Sequence, residues 1–280
     1  MSSPELFEPQ TLYDNSIAIV INNHLGGTVR MRDGSVGDTG RDAQAIANHT
    51  GRLVIAHNRI GSGDDANFSE QHVYDPRRTN DTSARQWAEE VLPFIERSGV
   101  DSVHLLGKSV GATPLLAVAK QDILPISGIC AVEPIGFTRM SSWQAKARVA
   151  AYKLIESCFS CDDSSTVETL STGKLRRVAI DIAHNQAGWR STDALNAIGI
   201  LGYAPQLRHI AVHLAFAGMS LAGLRSELNA RINLLHVSRQ NLDTTPLSVS
   251  FVPGTTHRSF NSAERYIAQY VQLDRMTKQT

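Results

Sequence analysis

Four short, almost continuously apolar runs, Ile17 to Ile21, Arg52 to His57, Val103 to Leu106 and Ile126 to Val132, constrain the fold of this chain more than any other feature. A strand that is apolar along its whole length must bury both faces, which requires a parallel sheet covered by helices on each side. The segments between the runs supply such helices. Over Asp81 to Ser98, Ala84, Trp87, Val91, Leu92 and Ile95 recur at helical spacing, and Gly99 ends the pattern. The expected class is therefore α/β, with a mostly parallel central sheet and helices on both faces. At 280 residues, one large domain of this kind has room for a sizeable core.

The rhythm breaks after Gly136. From there to Arg231 strand signals are few, and helix-compatible stretches such as Trp143 to Cys158 and Gln206 to Arg231 dominate. Strand signals return at Ile232 to Val237 and Leu247 to Val252, and Ser262 to Met276 reads as a closing helix. The expected organisation is a first core part over 1–135, a helical cap insertion over 136–230 and a second core part over 231–280. Such a cap would stand above the strand ends, where pocket walls are usually built. Its apolar residues, Phe137, Met140, Trp143, Trp189, Phe216 and Met219 among them, either line a pocket or fasten the cap to the core.

Charge excludes some partners. Lys plus Arg and Asp plus Glu number 27 each, so no long-range field gathers nucleic acid or an anionic membrane surface. No stretch approaches the roughly 18 uninterrupted apolar residues of a membrane span, and the N-terminus lacks a basic start followed by an apolar core. The expectation is a cytoplasmic protein. Three cysteines, Cys130, Cys158 and Cys161, are too few for a disulfide framework, and the single Cys158-Phe-Ser-Cys161 has no second pair to complete a zinc site. His209 and His213 stand at helical i, i+4 spacing but lack the Glu of a metalloprotease motif, so a buried helix face is expected rather than a metal site.

Chemistry concentrates at Gly107-Lys108-Ser109-Val110-Gly111, between the apolar run Val103 to Leu106 and an apolar helix pattern from Ala112 to Lys120. A G-x-S-x-G in that context forms a sharp strand-to-helix turn, and the glycines are there because the turn is too tight for side chains. The Gly-Lys-Ser within it is no phosphate-binding loop: that motif needs a glycine five residues before Gly107, where Ser102 stands.

With three further segments, this turn resembles the α/β-hydrolase superfamily over roughly residues 16–134 and 230–275. His24-Leu25-Gly26-Gly27 after the first strand resembles the family's HGG-type oxyanion loop, and Asn58-Arg59-Ile60-Gly61-Ser62-Gly63 resembles its R-G-x-G turn. Val252-Pro253-Gly254-Thr255-Thr256-His257 resembles its last strand, turn and catalytic histidine. The resemblance implies a capped, esterase- or lipase-like serine hydrolase acting on a small-molecule acyl substrate without metal or cofactor. Ser109 would be the nucleophile, His257 the general base, and the backbone amides of Leu25 and Val110 the oxyanion hole. Thioesterase, amidase, acyltransferase or C–C hydrolase chemistry on the same scaffold, and a non-catalytic ligand-binding relative, are the alternatives. A homo-oligomer is left open.

The acid that orients the histidine departs from the family pattern. The family usually places it about three residues past a glycine that follows a late strand. After Ile232 to Val237 that alignment lands on Asn241, with Ser238 in the glycine position and Asp243 the nearest carboxylate. Glu133, at the end of the strand after the turn, is the alternative acid. Lys108 is expected to be solvated, with its stem along the pocket mouth.

Overall fold

The computed structural model describes residues 4–11, 16–22, 29–30, 34–57, 76–134, 147, 210–217, 247–255, 260 and 263–278. In chain order these give β1 (Glu5–Phe7), β2 (Ile17–Asn22), α1 (Asp38–Thr50), β3 (Val54–His57), α2 (Pro76–Ser98) and β4 (Ser102–Lys108). A single 3-10 turn, Ser109–Gly111, leads into α3 (Thr113–Lys120); then follow β5 (Ile126–Val132), β6 (Ala211–Ala217), β7 (Leu247–Val252) and α4 (Ala263–Thr277). The strands form one sheet in the order β1-β3-β2-β4-β5-β6-β7, and all neighbours are parallel except β1 against β3.

The apolar strands bury both faces as their sequence demands. Ala18 and Val20 of β2 face a core shared with Trp87, Val91 and Ile95 of α2 and Leu115 and Leu116 of α3. Ile19 and Ile21, one residue out of phase, face Ile46 of α1 and Tyr266, Tyr270 and Leu273 of α4. Each isoleucine so enclosed contributes about 1.5–3 kcal/mol relative to exposure. Polar groups inside this second layer are joined to one another. Arg52, at 3% exposure, pairs with Asp274 at 2.6 Å and donates to the Tyr270 hydroxyl at 2.5 Å, and that hydroxyl lies 2.9 Å from His104 Nδ1. His104 is therefore a packed, hydrogen-bonded strand residue, as its position within an apolar run suggests.

Two expectations are corrected. The segment 206–231 was expected to be helical, yet Ala211–Ala217 is a fully buried strand paired with β5 on one side and β7 on the other. It belongs to the core sheet, so a helical cap cannot run unbroken from 136 to 230. His213 accordingly lies on a strand, with Nε2 3.2 Å from Gln269 Oε1, and burial holds its pKa below the ordinary histidine value. Phe216, expected to belong to the cap, is a core residue stacked on Phe251 with ring centroids 5.4 Å apart. No helix among the described residues is long and apolar enough to cross a membrane.

The connections create one natural place for a site. From β2 the chain moves through α1 to β3 on one side, then returns through α2 to β4 on the other side of β2. Ligands of open parallel sheets bind outside the carboxyl ends of the strands at such a reversal. Here that crevice lies beyond Asn22 and Lys108.

Candidate active site

Ser109 stands immediately after β4 at this reversal, and its φ of 54° places it in the left-handed region. A residue with a Cβ adopts that conformation at a cost of order 1–3 kcal/mol, and only where its surroundings enforce it. The enforcement is visible. A Cβ on Gly107 would lie 2.6 Å from Gly111 O, 2.7 Å from Leu115 Cδ1 and 2.8 Å from Ala112 Cα, so α3 folds back against the end of β4 at a distance only glycine allows. The Ala112 amide donates to Ser109 O at 3.1 Å, and Asn22 Nδ2, from the end of β2, donates to Gly111 O at 2.8 Å. The turn is thus clamped from inside by packing and from the neighbouring strand by a buried side-chain amide. Ser109 itself is half-buried at the sheet edge.

No protein family profile matches this chain, and no curated relative matches it. Solved structures do. An α/β-hydrolase enzyme from a Medee basin deep-sea metagenome library aligns over 97% of this chain and 93% of its own, with a TM-score of 0.60 at 14% identity. This chain has the α/β-hydrolase fold. A membrane phospholipase A described as a bacterial virulence factor aligns over 99% of this chain and 87% of its own, with TM-score 0.59 and 14% identity. The proline iminopeptidase of Mycobacterium smegmatis aligns over 98% and 94%, with TM-score 0.56 and 13% identity. Neighbours of such different activities share the α/β-hydrolase scaffold with this chain.

On that scaffold Val110 follows Ser109 within the 3-10 turn, at the amino end of the α3 segment. Glu133 is the first residue beyond β5, one strand from Ser109, and is 1% exposed. Its amide donates to Ala215 O at 2.7 Å, and its Oε1 accepts a short hydrogen bond from the Ala217 amide. In a parallel ladder that second bond would go to the Glu133 carbonyl. Glu133 has φ 48°, and its carboxylate takes the acceptor position in the carbonyl's place. Leu25, Asn241, Asp243 and His257 lie outside the described residues, as do His24, Cys158 and Cys161. The approach to His257 is described as far as Thr255: Gly254, at φ 68°, turns the chain beyond β7, and Thr255 Oγ1 donates to Val252 O at 2.5 Å.

Lys108 corrects another expectation. It is 4% exposed, and strand alternation directs it to the α1 and α4 face, where its charge acts on Asp42 of α1. Burial, reinforced by Asp38, nevertheless raises the Asp42 carboxyl to about 6. Sequence reasoning also passed over Asn22 and His57. Each is a polar residue ending an otherwise apolar strand run, and that was the only available signal.

Proposed function

We propose that this chain is a serine hydrolase that cleaves a carboxylic ester or related acyl compound through an acyl-enzyme on Ser109. The observation that carries the reading is the clamped left-handed backbone of Ser109 at the carboxyl edge of the sheet, where the chain order reverses. A strained serine on a strand-to-helix turn exposes its hydroxyl to a substrate and to a base approaching from another strand end. The reading assigns that base to His257. β4 to β7 are parallel, so the turn after β7 leaves from the same edge as Ser109. Three strand spacings, about 14 Å, separate the two exits, a span for the loop around His257 to cross.

In the reaction, His257 takes the Ser109 proton as the hydroxyl oxygen attacks the acyl carbon. The amides of Val110 and Leu25 hold the resulting oxyanion, and His257 returns the proton to the leaving group. Water then repeats the sequence to release the acid. For the residue that orients His257, the corrected sheet shifts the weight. The strand next to β5 is Ala211–Ala217, and the position three residues past its following Gly218 is Leu221, so the family pattern yields no carboxylate there. Asp243 precedes Leu247, the amino end of β7, by four residues, which reach at most about 14 Å when extended. β7 itself advances about 17 Å toward the site edge. Glu133 already stands at that edge, and it is the acid we assign, with Asp243 as the rival.

Labelling with a fluorophosphonate probe tests the reading. The native chain should label at Ser109, Ser109→Ala should not, and His257→Ala should label at least a hundredfold more slowly. A folded native chain that does not label would instead favour the non-catalytic ligand-binding alternative.

A further inference from the structure

Two buried polar side chains behind the turn have atoms without partners among the described residues, and they are neighbours. Asn22 and His57 are paired in register across β2 and β3, and alternation turns both to the face covered by α2 and α3. Their exposures are 3% and 1%. Asn22 Nδ2 donates to Gly111 O, and its Oδ1 is buried with no hydrogen-bond partner among the described residues. His57 Nε2 lies 2.6 Å from Glu90 Oε2, while Gln86 Nε2 donates to Glu90 Oε1 at 2.9 Å. Trp87 stacks on the His57 ring, with centroids 6.1 Å apart, and His57 Nδ1 is buried without a partner among the described residues. Buried polar atoms are rarely left unpaired, because each loses its water.

We propose that His57 is a positioning residue for the Ser109 turn: it carries a proton on each ring nitrogen, donating through Nε2 to Glu90 and through Nδ1 to Asn22 Oδ1. The inference rests on Ser109 being the nucleophile. Paired residues on adjacent strands stand about 4.8 Å apart, so the two side chains are next to each other on one face of the sheet. A neutral ring with its single proton on Nε2 would set an acceptor beside the Asn22 acceptor, and the two would repel. The imidazolium satisfies both partners at once. Glu90, on α2, is the charged group among the described residues that reaches the ring, and the hydrogen bond from His57 holds its carboxyl below the usual range against the opposing effect of burial. The relay then runs from Glu90 through His57 and Asn22 to Gly111 O. By fixing which end of the Asn22 amide faces the turn, it keeps a donor on Gly111 and so keeps Ser109 in its strained conformation.

Two measurements on the full chain decide the proposal. In nitrogen-15 NMR spectra at pH 7, with His57 assigned by comparison with His57→Gln, both ring nitrogens should show imidazolium shifts, and Asn22→Ala should change the Nδ1 signal. Fluorophosphonate labelling of Ser109 should slow at least tenfold in Asn22→Ala and in His57→Gln, with the double variant no slower than the slower single one. A neutral His57 ring in the native protein overturns the relay, as does a double variant whose slowing is the product of the two. The native spectrum needs no variant at this buried position beyond the assignment. If the native protein fails to label at all, the hydrolase reading fails, and the ring spectra alone decide whether the relay exists.

Discussion

Ser109 and Glu133 occupy equivalent places on adjacent parallel strands: Lys108 pairs with Val132, and the next residue of each strand adopts a left-handed backbone, φ 54° and 48°. The consequences differ. At Ser109 the reversal begins a helix and presents a hydroxyl, whereas at Glu133 it removes the carbonyl from the ladder and lets the carboxylate bind the Ala217 amide. That main-chain donor fixes the direction of one carboxylate oxygen, which the acid proposed to orient His257 requires.

Glu133→Gln separates these roles because glutamine keeps an oxygen acceptor for Ala217 and loses the charge. The variant should fold with nearly native stability, while kcat for an activated acyl ester falls by about two orders of magnitude or more. Asp243→Asn should change kcat by less than about threefold. Steady-state rates and urea unfolding of both variants check this pair of outcomes. Near-native turnover in Glu133→Gln would leave Glu133 as a ladder acceptor only and return the acid assignment to Asp243.

Gly107→Ala tests whether the close approach behind Ser109 enforces the strain of that residue. Two of the three atoms a Cβ would meet, Gly111 O and Ala112 Cα, are backbone, so no side-chain rotation relieves the contact. The turn must open. Stability should fall by about 1–3 kcal/mol, the usual cost of overpacking, and fluorophosphonate labelling of the fraction still folded should fall by more than a hundredfold. Labelling at the native rate would show that Ser109 does not depend on this contact.

Much of this arrangement was legible from local sequence. Strand, tight turn and helix around Ser109 each leave a mark within a few residues, and both the buried His104 and the boundaries of β5 follow from their apolar neighbours. Ala211–Ala217 left no such mark. Seven buried residues in a row, Ala-Val-His-Leu-Ala-Phe-Ala, have neither period two nor period 3.6, and alanine favours helix, so only pairing with β5 and β7 makes the segment a strand. The burial of Lys108 was hidden for a different reason. It depends on α1, whose Asp42 faces it across the layer, and no property of the pentapeptide reports that neighbour.

That neighbour carries a pH dependence. Asp42 ionises near pH 3.8 in an unfolded chain and at about 6 in the folded one, chiefly because burial disfavours its charge and secondly because Asp38 adds repulsion. Below pH 3.8 both states hold the proton, and above 6 both have released it. Between these limits the folded state binds the proton more tightly, so the group's contribution to stability declines as pH rises through the window. Asp42→Asn should remove that decline. Urea midpoints from pH 4 to 7 should fall less steeply in the variant than in the native protein, and at pH 7 the variant should be the more stable by about 1 kcal/mol after allowance for solvent screening. Parallel pH profiles would mean that Lys108 neutralises Asp42 in full. In that case the buried Lys108 is one half of a permanent ion pair, and Lys108→Met should destabilise the native protein more than it destabilises Asp42→Asn.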